Sequence, residues 1–242
     1  MRLGWLEIKR RYSRTLLGPF WTTLSLGIFI FALGILWSKL WNQDERSFLP
    51  FLTAGMIAWL TLSSIVSEAC SVFISAETLI KSLNFSYIIL CLSLIWRNLI
   101  VMAHNLIILL IVAIYSGINL NINNLLLIPG LILICLNALW ITTLLGILCS
   151  RYRDIQQIVV SLLSITMFLT PILWTADRIP ESHRAFVKYN IIYHYVELIR
   201  APLLGKQPDA FSWLIIIVAT IIGWTITTAL YVKYRNRIPF WL

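Results

Sequence analysis

Apolar residues fill this chain in runs far longer than a soluble helix needs, and the charged residues stand in the gaps between the runs. Lys9, Arg10, Arg11 and Arg14 come first; from Thr15 to Ser38 no residue is charged. A helix rises about 1.5 Å per residue, so about 20 apolar residues cross a hydrocarbon core of about 30 Å. Six segments meet that requirement: 20–41, 48–70, 95–116, 125–149, 158–174 and 211–232. Arg97 is the only Asp, Glu, Lys or Arg between Ser82 and Ser150, and that stretch is divided by the turn-forming run from Gly117 to Asn124. Lipid offers no partner to open backbone groups, so the runs are predicted to be helices. They do not alternate residue by residue as the strands of a barrel do. The expected fold is an all-α membrane protein with six transmembrane helices.

Composition agrees. Apolar residues make up 60% and charged residues 12% of the 242 residues, against about 45–50% and about 25% in soluble domains. No polar linker, repeat or low-complexity tract divides the chain, so residues 1–242 read as one domain. The net charge of +9 follows membrane topology rather than nucleic-acid binding. Cys70, Cys91, Cys135 and Cys149 lie in or beside apolar runs without CxxC spacing. They read as small buried residues, neither a disulfide framework nor a metal site. The first apolar run is too long for a signal-peptide core and lacks a small-residue cleavage site.

Lysine and arginine orient the bundle. Arg2, Lys9, Arg10, Arg11 and Arg14, then Arg151 and Arg153, then Lys233, Arg235 and Arg237 fall on one side of an even number of passes. On the other side Arg46 is offset by Asp44 and Glu45. Arg178, Arg184, Lys188, Arg200 and Lys206 share a long segment with Asp177, Glu181, Glu197 and Asp209. Both termini are therefore expected in the cytoplasm. Trp37, Trp41, Trp174 and Trp213 fall at outer ends and Trp21 and Trp241 at inner ones, where a ring with one N–H is best placed. Trp59, Trp140 and Trp224 lie nearer mid-span and read mainly as packing.

Three segments outside the runs invite a function. In residues 5–16, Trp5, Ile8, Tyr12 and Leu16 share one helical face, with Arg10, Arg11 and Arg14 opposite. This predicts an interfacial helix (residues 1–17) on an anionic leaflet, with Gly18-Pro19 turning the chain into the membrane. Residues 71–87 carry Glu77 and Lys81 at i,i+4, a favourable helical pair. Residues 176–209 suit two short amphipathic helices, with Pro180 at a start, Gly205 at an end, and Tyr193, Val196, Ile199 and Leu203 at helical spacing. They are expected as re-entrant gate helices in the outer leaflet, the alternative being a soluble cap. Arg97 and Glu68 each face a partner or the membrane edge. His104 is expected to bond within its helix rather than relay protons. The chain has no GxxxxGK[ST] phosphate loop, HExxH, serine elbow or paired carboxylate site. Energy for any active transport would then have to come from elsewhere.

The stretch Arg10-Arg11-Tyr12-Ser13-Arg14-Thr15-Leu16-Leu17-Gly18-Pro19-Phe20-Trp21 resembles the N-terminal motif of type-2 ABC exporter permeases that export polysaccharides. Phe168-Leu169-Thr170-Pro171-Ile172-Leu173-Trp174, then Tyr189-Asn190 and the run from Val196 through Glu197, Arg200 and Pro202 to Gly205, are similar to that family's fifth span and outer gate. The ending Tyr234-Arg235-Asn236-Arg237-Ile238-Pro239-Phe240-Trp241-Leu242 resembles the tail of O-antigen exporter permeases. Asn190-Ile191 stands where the family commonly has Asn-Pro. The resemblance implies a subunit of the bacterial inner membrane that pairs with a second copy of itself and with two copies of a cytoplasmic ABC ATPase. ATP and Mg would sit on that partner, with no cofactor on this chain. Glu77, Thr78, Leu79, Ile80, Lys81, Ser82 and Leu83 would form the coupling helix received by the ATPase. The substrate implied is an undecaprenyl-diphosphate-linked glycan moving outward.

A glycan needs a wet path with hydroxyl partners and flat aromatic faces. Thr61, Ser64 and Ser67 in the second run, with Ser161, Ser164 and Phe168 in the fifth, are expected to line it, although such hydroxyls equally suit interhelical packing. Arg10, Arg11 and Arg14 would attract the lipid diphosphate. Two rival readings are an exporter of another cargo, such as teichoic acid or a small hydrophobic molecule, and a membrane enzyme acting on polyprenyl-linked sugars through His183, His194, Glu197 and Arg200.

Overall fold

A computed structural model describes residues 20–41, 43–82, 86–118, 121–176, 180–181 and 184–242. The interfacial helix expected at residues 1–17, with Arg10, Arg11 and Arg14, lies outside these residues, as do Leu83 and His183. The described residues form helices and turns without a strand. Five helices are long and apolar enough to cross a membrane.

The first, α1 (Phe20–Leu40), buries a single stripe of Thr23, Leu26, Ile30, Gly34 and Ser38 and leaves its other faces bare. By contrast α2 (Glu45–Ala69) is enclosed on most sides, because α1, α4, α5, α6 and α8 all pack on it. A six-residue helix, α3 (Glu77–Ser82), follows, with the Glu77–Lys81 pair at the predicted spacing. Next comes α4 (Tyr87–Ser116), 30 residues long, which begins at Tyr87 rather than at residue 95. The residues added ahead of that boundary bury Leu90, Cys91 and Leu94. At about 45 Å, α4 outreaches a hydrocarbon core of about 30 Å. It ends on Gly117, whose φ of 68° provides the left-handed cap.

A 3-10 turn (Ile122–Leu126) leads into α5 (Leu127–Arg151). The fifth predicted run becomes α6 (Asp154–Leu169), a 16-residue helix that starts earlier and stops sooner than 158–174. Pro171 explains the stop. It has no N–H to donate, and its ring drives the preceding residue out of the helical region; Thr170 accordingly sits at φ −97°, ψ 137°. Residues 170–173 are nonetheless buried, so the chain continues inward as an irregular strap. In the segment after it, α7 (Arg184–Lys188) and α8 (Ile191–Leu203) form, the latter capped by the Asn190 side chain accepting from the N–H groups of Ile192 and Tyr193. Gly205, at φ 70°, follows its end as predicted. The last helices are α9 (Ala210–Tyr234) and α10 (Ile238–Trp241).

Buried apolar side chains fall into two clusters. The larger joins α1, α2, α4, α5, α8 and α9 through residues such as Ile30, Leu52, Val112, Ile134, Leu198 and Ile216. The smaller gathers Ile65, Phe73, Ile80, Leu94, Ile147 and Ile238 at the end that carries α3. Polar ties fix the helices between them. Asn137 accepts from Tyr195 Oη at 2.7 Å and Trp140 Nε1 at 2.9 Å and donates to Thr220 Oγ1 at 2.6 Å, which links α5, α8 and α9. Asn121 and Asn123 donate to the Gly205 carbonyl and Asn124 to that of Pro202. These bonds tie the turn before α5 to the end of α8 and the Gly205 turn after it.

Where α5 crosses α8, a Cβ on Gly130 would lie 2.8 Å from the Leu198 carbonyl oxygen. That neighbour is backbone, so the helices themselves must part. Gly130→Ala is expected to destabilise the protein by about 1–3 kcal/mol, read as a lower melting temperature of the purified protein. Gly27→Ala is the control, because its Cβ meets nothing closer than 3.9 Å. It is expected to gain up to about 1 kcal/mol from helix propensity.

Candidate functional site

The chain's polar chemistry collects at three places along α2, and each begins with how a neighbouring helix ends. At the first, the end of α2 turns into α3. Lys81 Nζ lies 2.6 Å from Glu77 Oε1. That hydrogen bond and the lysine charge hold the exposed Glu77 carboxyl below its usual range, and Arg153 from the α5–α6 turn adds to the effect. Ile80 is buried and anchors α3 from below, while Glu77, Lys81 and Ser82 lie on its exposed or half-exposed side. Thr78 and Leu79 face a cavity of about 490 Å³ that Ser71, Ser75, Ser93, Glu68 and Arg97 also line. Beside α3, the buried Ile238 seats α10. The Arg151 guanidinium lies 5.3 Å from the Trp241 ring centre. Arg151, Arg153, Lys233, Arg235 and Arg237 are all exposed here. The result is a basic face with a short, rigid helix on it.

Just inside this face, Arg97 Nη2 meets Glu68 Oε2 at 2.8 Å, and Asn98 Nδ2 donates to the same oxygen at 2.9 Å. Glu68 and Arg97 are therefore each other's partner. Their separation of 29 positions in sequence hides the pairing from the chain alone. His104 Nδ1 lies 2.8 Å from the Ile100 carbonyl oxygen, the expected contact within its helix.

The second place is the seam between α2 and α6. Ser63, Ser64 and Ser67 face Ser164 across a cleft of about 270 Å³, closed by Trp59, Val160, Leu163 and Met167. A neighbouring hollow of about 560 Å³ continues it toward α1 and α4; it shares Ser64 and Met167 and reaches Glu68, Asn98 and Asn105. So Ser64, Ser67 and Ser164 of the expected path come together. Thr61 does not join them: it is buried and donates to the Ile57 carbonyl at 2.8 Å. Ser161 and Phe168 are exposed on α6 away from the cleft. No residue of α6 is fully buried, which leaves most of this helix uncovered.

The third place is the strap after α6. Arg200, only 4% exposed, donates from Nη1 to the Pro171 carbonyl at 2.6 Å. Its Nε and Nη2 both reach Glu197 Oε2, at 3.0 and 2.6 Å, and its guanidinium lies 4.3 Å from the Phe51 ring centre. One side chain thus holds α8, α2 and the end of α6 together. The i,i+3 spacing of Glu197 and Arg200 was a visible signal for the pair; the Pro171 acceptor was not. The buried His194 has Ser212 Oγ at 2.8 Å from one ring nitrogen and the Lys188 carbonyl oxygen at 2.9 Å from the other. Both nitrogens are taken up in tying α8 to its surroundings. Among the described residues no three His, Cys, Asp or Glu side chains gather as metal ligands would.

Residues 1–204 match the ABC-2 type transporter family. Three curated relatives carry the name O-antigen export system permease protein RfbA. The one from Myxococcus xanthus is 27% identical over 176 residues, which is 72% of this chain and 67% of the relative. One from Klebsiella pneumoniae is 22% identical over 237 residues, 95% of this chain and 90% of the relative.

Truncating one member of a buried ion pair leaves the other as an uncompensated charge. Glu197→Ala is expected to cost about 3 kcal/mol. Adding Arg200→Met should recover much of that loss. A double-mutant cycle on thermal unfolding of the purified protein measures the coupling; strictly additive effects would show that Glu197 does not support Arg200.

Proposed function

The chain belongs to the ABC-2 type transporter family, and on that premise we propose that it is the transmembrane subunit of an ATP-driven exporter moving a lipid-linked, O-antigen-like polysaccharide outward across the bacterial inner membrane. The names of the relatives support the cargo. The observation that carries the mechanism is the seam of Ser64, Ser67 and Ser164 between α2 and the largely uncovered α6. Serine hydroxyls bind sugar hydroxyls individually and weakly, which favours a chain that must slide. A second copy of the subunit set against α6 would close that seam into a conduit, and the exposed Ser161 and Phe168 would then face its lumen.

In this reading the chain crosses the membrane six times, with α6 and the buried strap after it making the fifth crossing together. The basic face around α3 lies in the cytoplasm, as lysine and arginine favour. There Glu77, Thr78, Leu79, Ile80, Lys81, Ser82 and Leu83 dock into the ATPase, one ATPase subunit per copy. Its ATP and Mg supply the energy. Ile80 and α10 brace α3 from behind, so force applied to α3 passes into α2 and α4 rather than into a loose loop. Arg10, Arg11 and Arg14 attract the undecaprenyl diphosphate to the same side. Between α5 and α9, α8 forms the outer gate.

Co-purification with an ABC ATPase, followed by stimulation of ATP hydrolysis by an undecaprenyl-diphosphate-linked glycan, tests the whole reading. Stimulation by a teichoic acid precursor or a small hydrophobic compound instead would assign another cargo, and an absent ATPase partner would overturn it. A second outcome concerns the path. Ser164→Trp should fill the cleft and abolish surface glycan while leaving the ATPase bound. Normal surface glycan in that variant would remove α6 from the path.

A further inference from the structure

The largest polar concavity at the Arg200 end is a cavity of about 500 Å³ between the start of α2, the strap after α6 and the end of α8. Arg46 and Lys206 line it, together with Ser47, Thr175, Phe51 and Tyr193. Arg200 also reaches it, but Glu197 already balances that charge. Arg46 and Lys206 have no ion pair among the described residues, and both are exposed. Asp44 and Glu45, though adjacent in sequence, do not line the cavity. Among the described residues that line it, its net charge is therefore positive.

Its backbone is also fixed. Gly205 turns the chain through a φ of 70°, its carbonyl is held by Asn121 and Asn123, and Lys206 N donates to the Ala201 carbonyl at 2.8 Å. Arg46 rises from the first turn of α2, which Asp44 begins. Two cations on an ordered backbone, with the Thr175 hydroxyl on the same lining, match a group bearing more than one negative oxygen. A carboxylate brings a single charge, whereas a phosphate or diphosphate carries enough charged oxygens to engage both cations at once. The aromatic lining suits whatever the phosphate is attached to at the membrane surface.

We infer that this cavity is a phosphate-binding site, filled either by the headgroup of a membrane lipid or by a soluble phosphate group. That it faces outward rests on the orientation proposed above; its affinity for phosphate does not.

The test uses the full-length protein. Pyrophosphate binding is measured by calorimetry in phosphatidylcholine nanodiscs, and retention of phosphatidylglycerol over phosphatidylcholine by native mass spectrometry. Arg46→Gln with Lys206→Gln is expected to weaken binding about tenfold or more, since hydrogen bonds to charged groups are each worth about 1.5–3 kcal/mol. Arg46→Lys with Lys206→Arg should retain most of it. Arg235→Gln with Arg237→Gln, at the opposite end, should leave it unchanged. Pyrophosphate binding alone would assign a soluble phosphate group, and phosphatidylglycerol retention alone a lipid headgroup. The inference falls if neither probe binds the unaltered protein, or if the Arg46 and Lys206 variant binds as well as the unaltered one. Because the readout is binding, failure here leaves the exporter reading standing, and loss of ATPase partnership leaves this site standing.

Discussion

A guanidinium cannot be left bare in a packed interior, and one end of this bundle is arranged to meet that demand. Arg200 is buried, and its acceptors come from two elements: a carboxylate one turn back on α8 and the carbonyl of Pro171. The carbonyl is available because Pro171 interrupts α6. Had the helix continued, the irregular strap that brings this oxygen to Arg200 would not exist. The residue that ends α6 therefore also supplies the acceptor that fastens α8 over it. The aromatic face of Phe51 completes the enclosure from α2. Removing the charge from water is costly, and the pair is valuable less for net stability than for fixing which three elements meet.

The same scarcity of partners shapes the smaller polar groups. Thr53, Thr61, Ser150, Ser164 and Thr220 each donate to a carbonyl one turn earlier in their own helix. This is the local bond open to a hydroxyl in a helix, and it spends the donor while leaving oxygen lone pairs free. Burial then separates the roles. Thr61 is enclosed and serves its own helix. Ser164 makes the same bond but stands exposed on α6, so it presents an acceptor to the cleft. A wall of such oxygens can take bonds from sugar hydroxyls without gripping them.

These distinctions mark what could be read from the chain alone. The apolar runs gave the helices because length and hydropathy are properties of consecutive residues. The Glu77–Lys81 pair and the Gly205 end were legible for the same reason: their partners are neighbours in sequence. The early start of α4 was not, because residues 87–94 are apolar on either account, and only their packing against the α3 end decides that they continue the helix. The early stop of α6 was signalled by Pro171, yet the apolar residues after it extended the predicted run to 174. Glu68 with Arg97, and the asparagine contacts on α8, join residues far apart in sequence. An uncharged run shows where a charge is absent; it does not show which distant side chain will meet the next one. Ser64, Ser67 and Ser164 converge while Thr61, Ser161 and Phe168 do not, because helical spacing fixes a face but not the neighbour it turns toward.

Each of the three polar places is borne by α2 or touches it. Glu68, at one end, receives Arg97 and Asn98; Ser63, Ser64 and Ser67, further along, face α6; Phe51, at the other end, lies against Arg200. The smaller apolar cluster joins Ile65 of α2 to Ile80 of α3, while the larger carries Leu52 and Ile57. A helix enclosed by five others does not bend easily, since close-packed interiors resist deformation. In the proposed exporter, a displacement imposed on α3 would reach α2 as a rigid shift. Among the long or apolar helices α6 is the least enclosed, held by α2 and α5 along its length and by the Pro171–Arg200 contact past its end. On the proposed path, movement of α2 against α6 would open or close the serine seam. The contacts that bury Arg200 thus tie α8, α2 and the strap after α6 together at one end of that seam.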